Sequence, residues 1–164
     1  VSDDVPDTSR PTADAGERGR VFVVSGRDPE SRLAVGRALA GRLSSAVLVD
    51  VTLLADMVVG GGVPATGLEQ LRRRLLTWSA AIAVAETYVL EGFDAVVVDD
   101  LGGDRLEEFL DLVAPEPAHV VRLDHGGPDW GLRVDVASDP RDTADQVLAR
   151  LDESLVVTDT DAAT

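Results

Sequence analysis

The sequence predicts an α/β domain, a three-layer sandwich built on a mostly parallel five-stranded sheet. Three observations carry that expectation. Val-rich apolar runs recur along the chain without polar alternation, as in strands buried on both faces. Longer segments with apolar residues at helical spacing separate them, the pattern of a parallel sheet covered by helices. The length, 164 residues, suits one domain that buries roughly 70% of the surface its unfolded chain exposes.

Residues 1–19 are rich in Asp, Pro, Ser and Thr, lack the apolar stretch of a secretory signal, and read as a disordered arm. The single domain is expected over residues 20–154. It opens on a strand at Val21–Val24, followed by a helix from Pro29 to Ser44 with Val35, Leu39 and Leu43 on one face and Arg37 and Arg42 outside. A second strand, Ala46–Val51, leads to a short helix at Leu53–Val59. The longest helix runs from Leu68 to Glu91, bracketed by Gly67 and Gly92. After a third strand, Ala95–Asp99, Asp104 is placed to cap a helix that ends at Val113 before Pro115. Strands at His119–Leu123 and Leu132–Val136 follow. The last helix starts at Pro140, capped by Ser138 or Asp139, and ends near Ser154. The tail, residues 155–164, begins apolar and is expected to fray at its end.

Composition removes several classes of function. With no cysteine, a disulfide-stapled fold and a thiolate zinc site are excluded. All 15 basic residues are arginines, so lysine chemistry is absent. Against them stand 30 acids and a net charge of -15, which repels polyanions and excludes nucleic acid as a partner. The longest nearly apolar stretch, Trp78 to Leu90, is interrupted by Glu86, Thr87 and Tyr88 and falls short of the roughly 20 residues of a membrane span. The expectation is a soluble, cytoplasmic protein whose partner is another protein or a small molecule.

In a parallel sheet, ligands gather beyond the carboxyl ends of the strands. The first turn there is Ser25-Gly26-Arg27-Asp28-Pro29-Glu30-Ser31-Arg32-Leu33. It stands where a phosphate-binding loop, G-x-x-x-x-G-K-[ST], would stand between a strand and a helix. Together with Val-Phe-Val-Val-Ser-Gly at the first strand, Ala-Val-Gly-Arg-Ala-Leu-Ala-Gly-Arg-Leu in the first helix, Asp50, Met57-Val58-Val59-Gly60-Gly61 and Val96-Val97-Val98-Asp99-Asp100, this order of elements resembles the P-loop NTPase superfamily. Within it, the chain is similar to the small-molecule kinases, the chloramphenicol-phosphotransferase-like ATP-binding proteins, over residues 20–153.

That resemblance implies a P-loop-kinase-like fold and a set of roles. Ser25, Gly26, Arg27, Ser31 and Arg32 would form a degenerate nucleotide-binding loop, with Arg32 in the place of the lysine. Asp50 would be the base that takes the proton of an acceptor hydroxyl. Asp99 and Asp100 would serve Mg²⁺ and its water.

The departures fall on the chemistry. Ser31 replaces the second loop glycine, Arg32 the lysine and Leu33 the metal-ligating hydroxyl. A planar guanidinium is a poor substitute for an ammonium reaching between phosphates. Pro29 removes an N–H, and Glu30 adds a negative charge where a phosphate would lie. At 4 Å a like-charge pair costs about 1 kcal/mol in water and about 4 at intermediate dielectric. The same residues also make an ordinary helix start, with Asp28 as N-cap, Pro29 at the first position and Glu30 in the first turn.

The other candidates have similar double readings. Asp50 can cap the next segment, and Asp-Asp-Leu-Gly-Gly after the third strand is also a solvated turn. Family members close an arginine-bearing lid between the fourth and fifth strands, yet Asp124 to Gly131 are too few to include a lid helix. His119 and His125 show no nucleophile or ligand spacing. Arg72, Arg73 and Arg74 read as a solvated face paired with local acids. The leading expectation is a degenerate, catalytically impaired phosphotransferase relative kept as a binding or interaction module, with no cofactor. Its alternative is an active ATP- and Mg²⁺-dependent small-molecule kinase that uses Arg32 in place of the lysine and Asp50 as base.

Overall fold

The computed structural model describes residues 17–126 and 129–158. Six strands form one sheet in the order β2-β3-β1-β4-β5, with β6 also paired to β4. They are β1 (Val21–Ser25), β2 (Ala46–Asp50), β3 (Asp94–Asp99), β4 (Ala118–Arg122), β5 (Leu132–Arg133) and β6 (Leu155–Val156). All pairs are parallel except β4 with β6. Helices α1 (Pro29–Arg42) and α5 (Pro140–Ala149) cover one face, and α3 (Gly67–Leu90) and α4 (Arg105–Val113) the other. Two short helices, α2 (Val51–Asp56) and α6 (Leu151–Ser154), complete the set among the described residues.

Period-two side-chain alternation divides the core. Phe22, Val24, Val96, Val98 and Val121 meet Val35 and Leu39 of α1 and Val147 of α5. Val23, Val97 and Val120 meet Trp78 and Ala85 of α3 and Phe109 of α4 on the opposite face. Burying one such Leu or Phe contributes about 1.5–3 kcal/mol, so both faces anchor the carboxyl edge of the sheet firmly. Gly36 lets α1 approach β3, since a Cβ there would overlap the Val98 side chain.

Several boundaries differ from expectation for identifiable reasons. The second strand stops at Asp50, whose carboxylate accepts from Thr52 N at 3.0 Å and starts α2 at Val51, a residue 4% exposed. Asp104 stands at the N-cap of α4 but makes no side-chain cap, because its backbone is already helical. The fifth strand is cut to Leu132–Arg133, although Val134 N still donates to Arg122 O at 2.9 Å. Leu155 and Val156, the apolar start of the expected tail, form a sixth strand. This strand takes the length of β4 that β5 leaves open: β5 pairs with Val121 and Arg122, β6 with Ala118 and His119.

Of the expected N-terminal arm, residues 1–16 lie outside the described residues. Arg18 and Gly19 belong to the domain: Gly19 N donates to Val89 O at 2.9 Å and Arg18 pairs with Glu116 at 3.1 Å. Residues 159–164 of the tail lie outside the described residues as well. Among the described residues no helix is long and apolar enough to cross a membrane.

Candidate functional site at the carboxyl edge

Strands β1 and β3 end side by side, Ser25 in register with Asp99, and β4 places Arg122 against Ser25. The edge is tied together locally. Ser25 Oγ accepts from Leu101 N at 3.1 Å, and Gly26 N donates to Asp99 O at 3.4 Å. A Cβ on Gly26 would lie 3.2 Å from Leu123 Cβ, so the small residue lets the turn lie against β4.

The turn then enters α1 directly. Asp28 Oδ2 accepts from Ser31 N at 2.9 Å, and Pro29 stands in the first turn. Bonding to Ser31, through its side chain and then its backbone, lowers the Asp28 pKa from its ordinary value. A carboxylate therefore sits at the positive end of the α1 dipole and takes one of its free amides.

Arg32 turns back over the same loop. Its side chain is only 8% exposed; Nη1 donates to Gly26 O at 2.9 Å and to Arg27 O at 3.4 Å, and Nη2 to Thr52 Oγ1 at 3.3 Å. Thr52 in turn donates its N–H to Asp50, so Arg32 and Asp50 are linked through one residue. Leu33 packs against the core shared by α1 and α5.

The two remaining acids are also engaged. Asp99 Oδ2 accepts from the indole Nε1 of Trp78 at 2.8 Å, and its Oδ1 from Asp100 N at 2.8 Å. Asp100 Oδ1 accepts from Gly102 N at 3.2 Å, while its Oδ2 stands 4.0 Å from Arg105. Among the described residues, no three His, Cys, Asp or Glu side chains gather as a metal site.

Beside this row opens a cavity of 290 Å³ lined by Val51, Thr52, Ala55, Arg73, Arg74, Thr77, Trp78, Asp99, Asp100 and Arg105. The arginine run on α3 is thus not a uniform solvated face. Arg72 is exposed, but Arg73 donates to Gly62 O at 3.0 Å and Arg74 pairs with Glu108 of α4 at 2.9 Å. Arg74 also lies over the Trp78 ring at 5.2 Å. Its acid partner is 34 residues away rather than local, which helical spacing alone does not reveal. The pairing of Arg74 with Trp78 at i, i+4 was the one signal available.

A smaller apolar cavity of 110 Å³ lies at the opposite, amino edge, between Val89, Phe109, Val113 and the Arg18–Glu116 pair. Arg20, Glu86 and His119 also line it. Of the segment expected to replace a lid, residues 124–126 and 129–131 contain no helix, and Gly127 and Pro128 lie outside the described residues. His125 pairs with Asp135 at 3.0 Å, and His119 Nδ1 bonds Ser154 Oγ at 2.9 Å while stacking on Phe22.

The fold is similar to those of solved kinase structures. An APS kinase from Mycobacterium tuberculosis superposes with a TM-score of 0.64 and 16% identity over 82% of this chain and 98% of its own. The chain has a P-loop-kinase-like fold. A sugar kinase from Janibacter matches with a TM-score of 0.59 and 13% identity, covering 83% of this chain and 96% of its own. No protein-family model matches the sequence, and no curated protein matches it either.

Proposed function

We propose that this P-loop-kinase-like domain is impaired in phosphoryl transfer and serves as a binding module. The observation that carries the reading is Arg32. Its guanidinium is bonded to Gly26 O and Arg27 O, inside the turn that would have to wrap a nucleotide's phosphates. A phosphate-binding loop works by directing converging N–H groups at an anion. Here Pro29 has no N–H, and Ser31 N is committed to Asp28.

Set against a triphosphate and its metal, these residues are a poor fit. Leu33 supplies no side-chain oxygen and packs against the core between α1 and α5. Asp28 and Glu30 put negative charge at the helix start, and Asp99 is engaged with Trp78. Asp50 is held by Thr52 N, as a cap is, rather than standing free as a base. Under the competing reading, an active kinase, Arg32 would have to leave both loop carbonyls and Thr52 before nucleotide could enter.

Calorimetric titration of the full chain with Mg²⁺-ATP tests the proposal. The expected result is no saturable heat up to about 1 mM, a concentration that would reveal any complex worth more than about 4 kcal/mol. Submillimolar binding would favour the active kinase.

A further inference from the structure

At the amino edge of the sheet, the layer formed by α3 and α4 does not close completely over the strands. The cavity of 110 Å³ there lies between Ala85 and Val89 of α3, Val97 of β3, and Phe109 and Val113 of α4. All five residues are buried and none has a hydrogen-bonding side chain, so the floor is apolar. An apolar cavity of about 150 Å³ takes a benzene molecule, and one of this size takes a tail of roughly four or five carbons.

The rim is charged, and its charges do not cancel. Arg18 pairs with Glu116 at 3.1 Å and Arg20 with Asp94 at 2.7 Å, so each guanidinium already holds a carboxylate. Burial lowers the pKa of His119, and its ring adds no positive charge at neutral pH. Glu86, one helical turn beyond Ile82 on α3, is exposed and has no hydrogen-bond or ion-pair partner among the described residues. One carboxylate is therefore left unmatched beside an apolar hollow. An anionic ligand seeking a guanidinium would have to displace Glu116 or Asp94, whereas a cation meets Glu86 without breaking a contact. The chain's net charge of -15 also draws cations toward the surface.

We propose that this amino-edge cavity binds a small aliphatic amine, with the alkyl tail among Ile82, Val89 and Val113 and the ammonium on Glu86. The site lies at the opposite end of the strands from the turn closed by Arg32, and its occupancy does not depend on whether that turn admits a nucleotide.

The experiment is an NMR titration of the full chain with isopentylamine, isopentyl alcohol and isovalerate, probes that share a branched tail and carry a cationic, neutral or anionic head. The methyl signals of Ile82, Val89 and Val113 should move saturably with isopentylamine in the low millimolar range. The alcohol should bind at least about threefold more weakly, the scale of an exposed ion pair, and isovalerate at least about tenfold. Glu86→Gln changes an exposed residue without a partner, so the variant stays folded; it should bring amine and alcohol within about twofold of each other. Ile82→Phe extends a half-buried side chain into the hollow and should weaken both probes. No saturable movement of these methyls up to about 20 mM amine would overturn the site. Isovalerate binding as tightly as the amine, or an amine preference that survives Glu86→Gln, would overturn the ligand class. The Mg²⁺-ATP titration reads the Arg32 turn separately, so failure of either proposal leaves the other standing.

Discussion

Arg32 Nη1 donates a 2.9 Å hydrogen bond to the carbonyl of Gly26, six residues earlier in the chain. The bond is buried and closes the first turn on itself. A carbonyl at the end of β1 thereby finds a charged donor inside the protein, where a nucleotide-binding loop would hold its cation ready for phosphate. Arg32→Ala should leave Gly26 O poorly paired and destabilise the fold by about 1–3 kcal/mol. Urea unfolding measures this, and a loss below about 0.5 kcal/mol would show that the bond is incidental.

Asp99 has a structural task that can be isolated. Trp78 is 1% exposed, so removing its acceptor strands a buried indole N–H. Asp99→Ala should cost about 1–3 kcal/mol, and Asp99→Asn, which keeps an acceptor oxygen, clearly less. Equal losses in the two variants would mean that the hydrogen bond is not what matters.

Most of the sheet was legible because β1, β3 and β4 are Val-rich runs buried on both faces, a signal that needs no partner to read. The sixth strand was not. Leu155 and Val156 carry no periodicity, and their pairing depends on β5 leaving part of β4 open. At the site, the Asp28 cap was readable from the adjacent Pro29 and Glu30. The destination of Arg32 was not, since a side chain folding back six residues leaves no trace in spacing. Arg74 with Glu108 and Trp78 with Asp99 are likewise tertiary contacts between elements.

Close packing of α1 on the sheet predicts intolerance at Gly36. A methyl group there would overlap Val98 Cγ1, and neither strand nor helix can retreat without disturbing Leu48 and Val96 nearby. Gly36→Ala gains helix propensity worth about 1 kcal/mol but should still lose stability, because overpacking costs about 1–3 kcal/mol. A variant that unfolds at higher urea than the parent would show that α1 has room to move.

The pH dependence follows from His119. Burial, reinforced by the charge of Arg20, lowers its pKa from the ordinary value, so the folded state favours the neutral ring. The unfolded chain then binds more protons once the pH falls below about 6.5. Stability from this group is complete above that value, declines as the pH drops through it, and levels off below the folded pKa. The melting temperature should therefore fall as the pH drops through about 6.5, and His119→Asn should flatten the slope. A parent whose melting temperature is constant across that window would contradict the assignment.

Arg32 and Asp28 close the first turn from within the chain, and the proposed loss of nucleotide binding rests on that closure. Its most direct test follows the backbone amides of residues 26–33 by NMR while Mg²⁺-ATP is added to the labelled protein. The amide signals of Gly26, Arg27 and Ser31 should stay in place up to about 1 mM nucleotide. Saturable shifts of those three amides would contradict it.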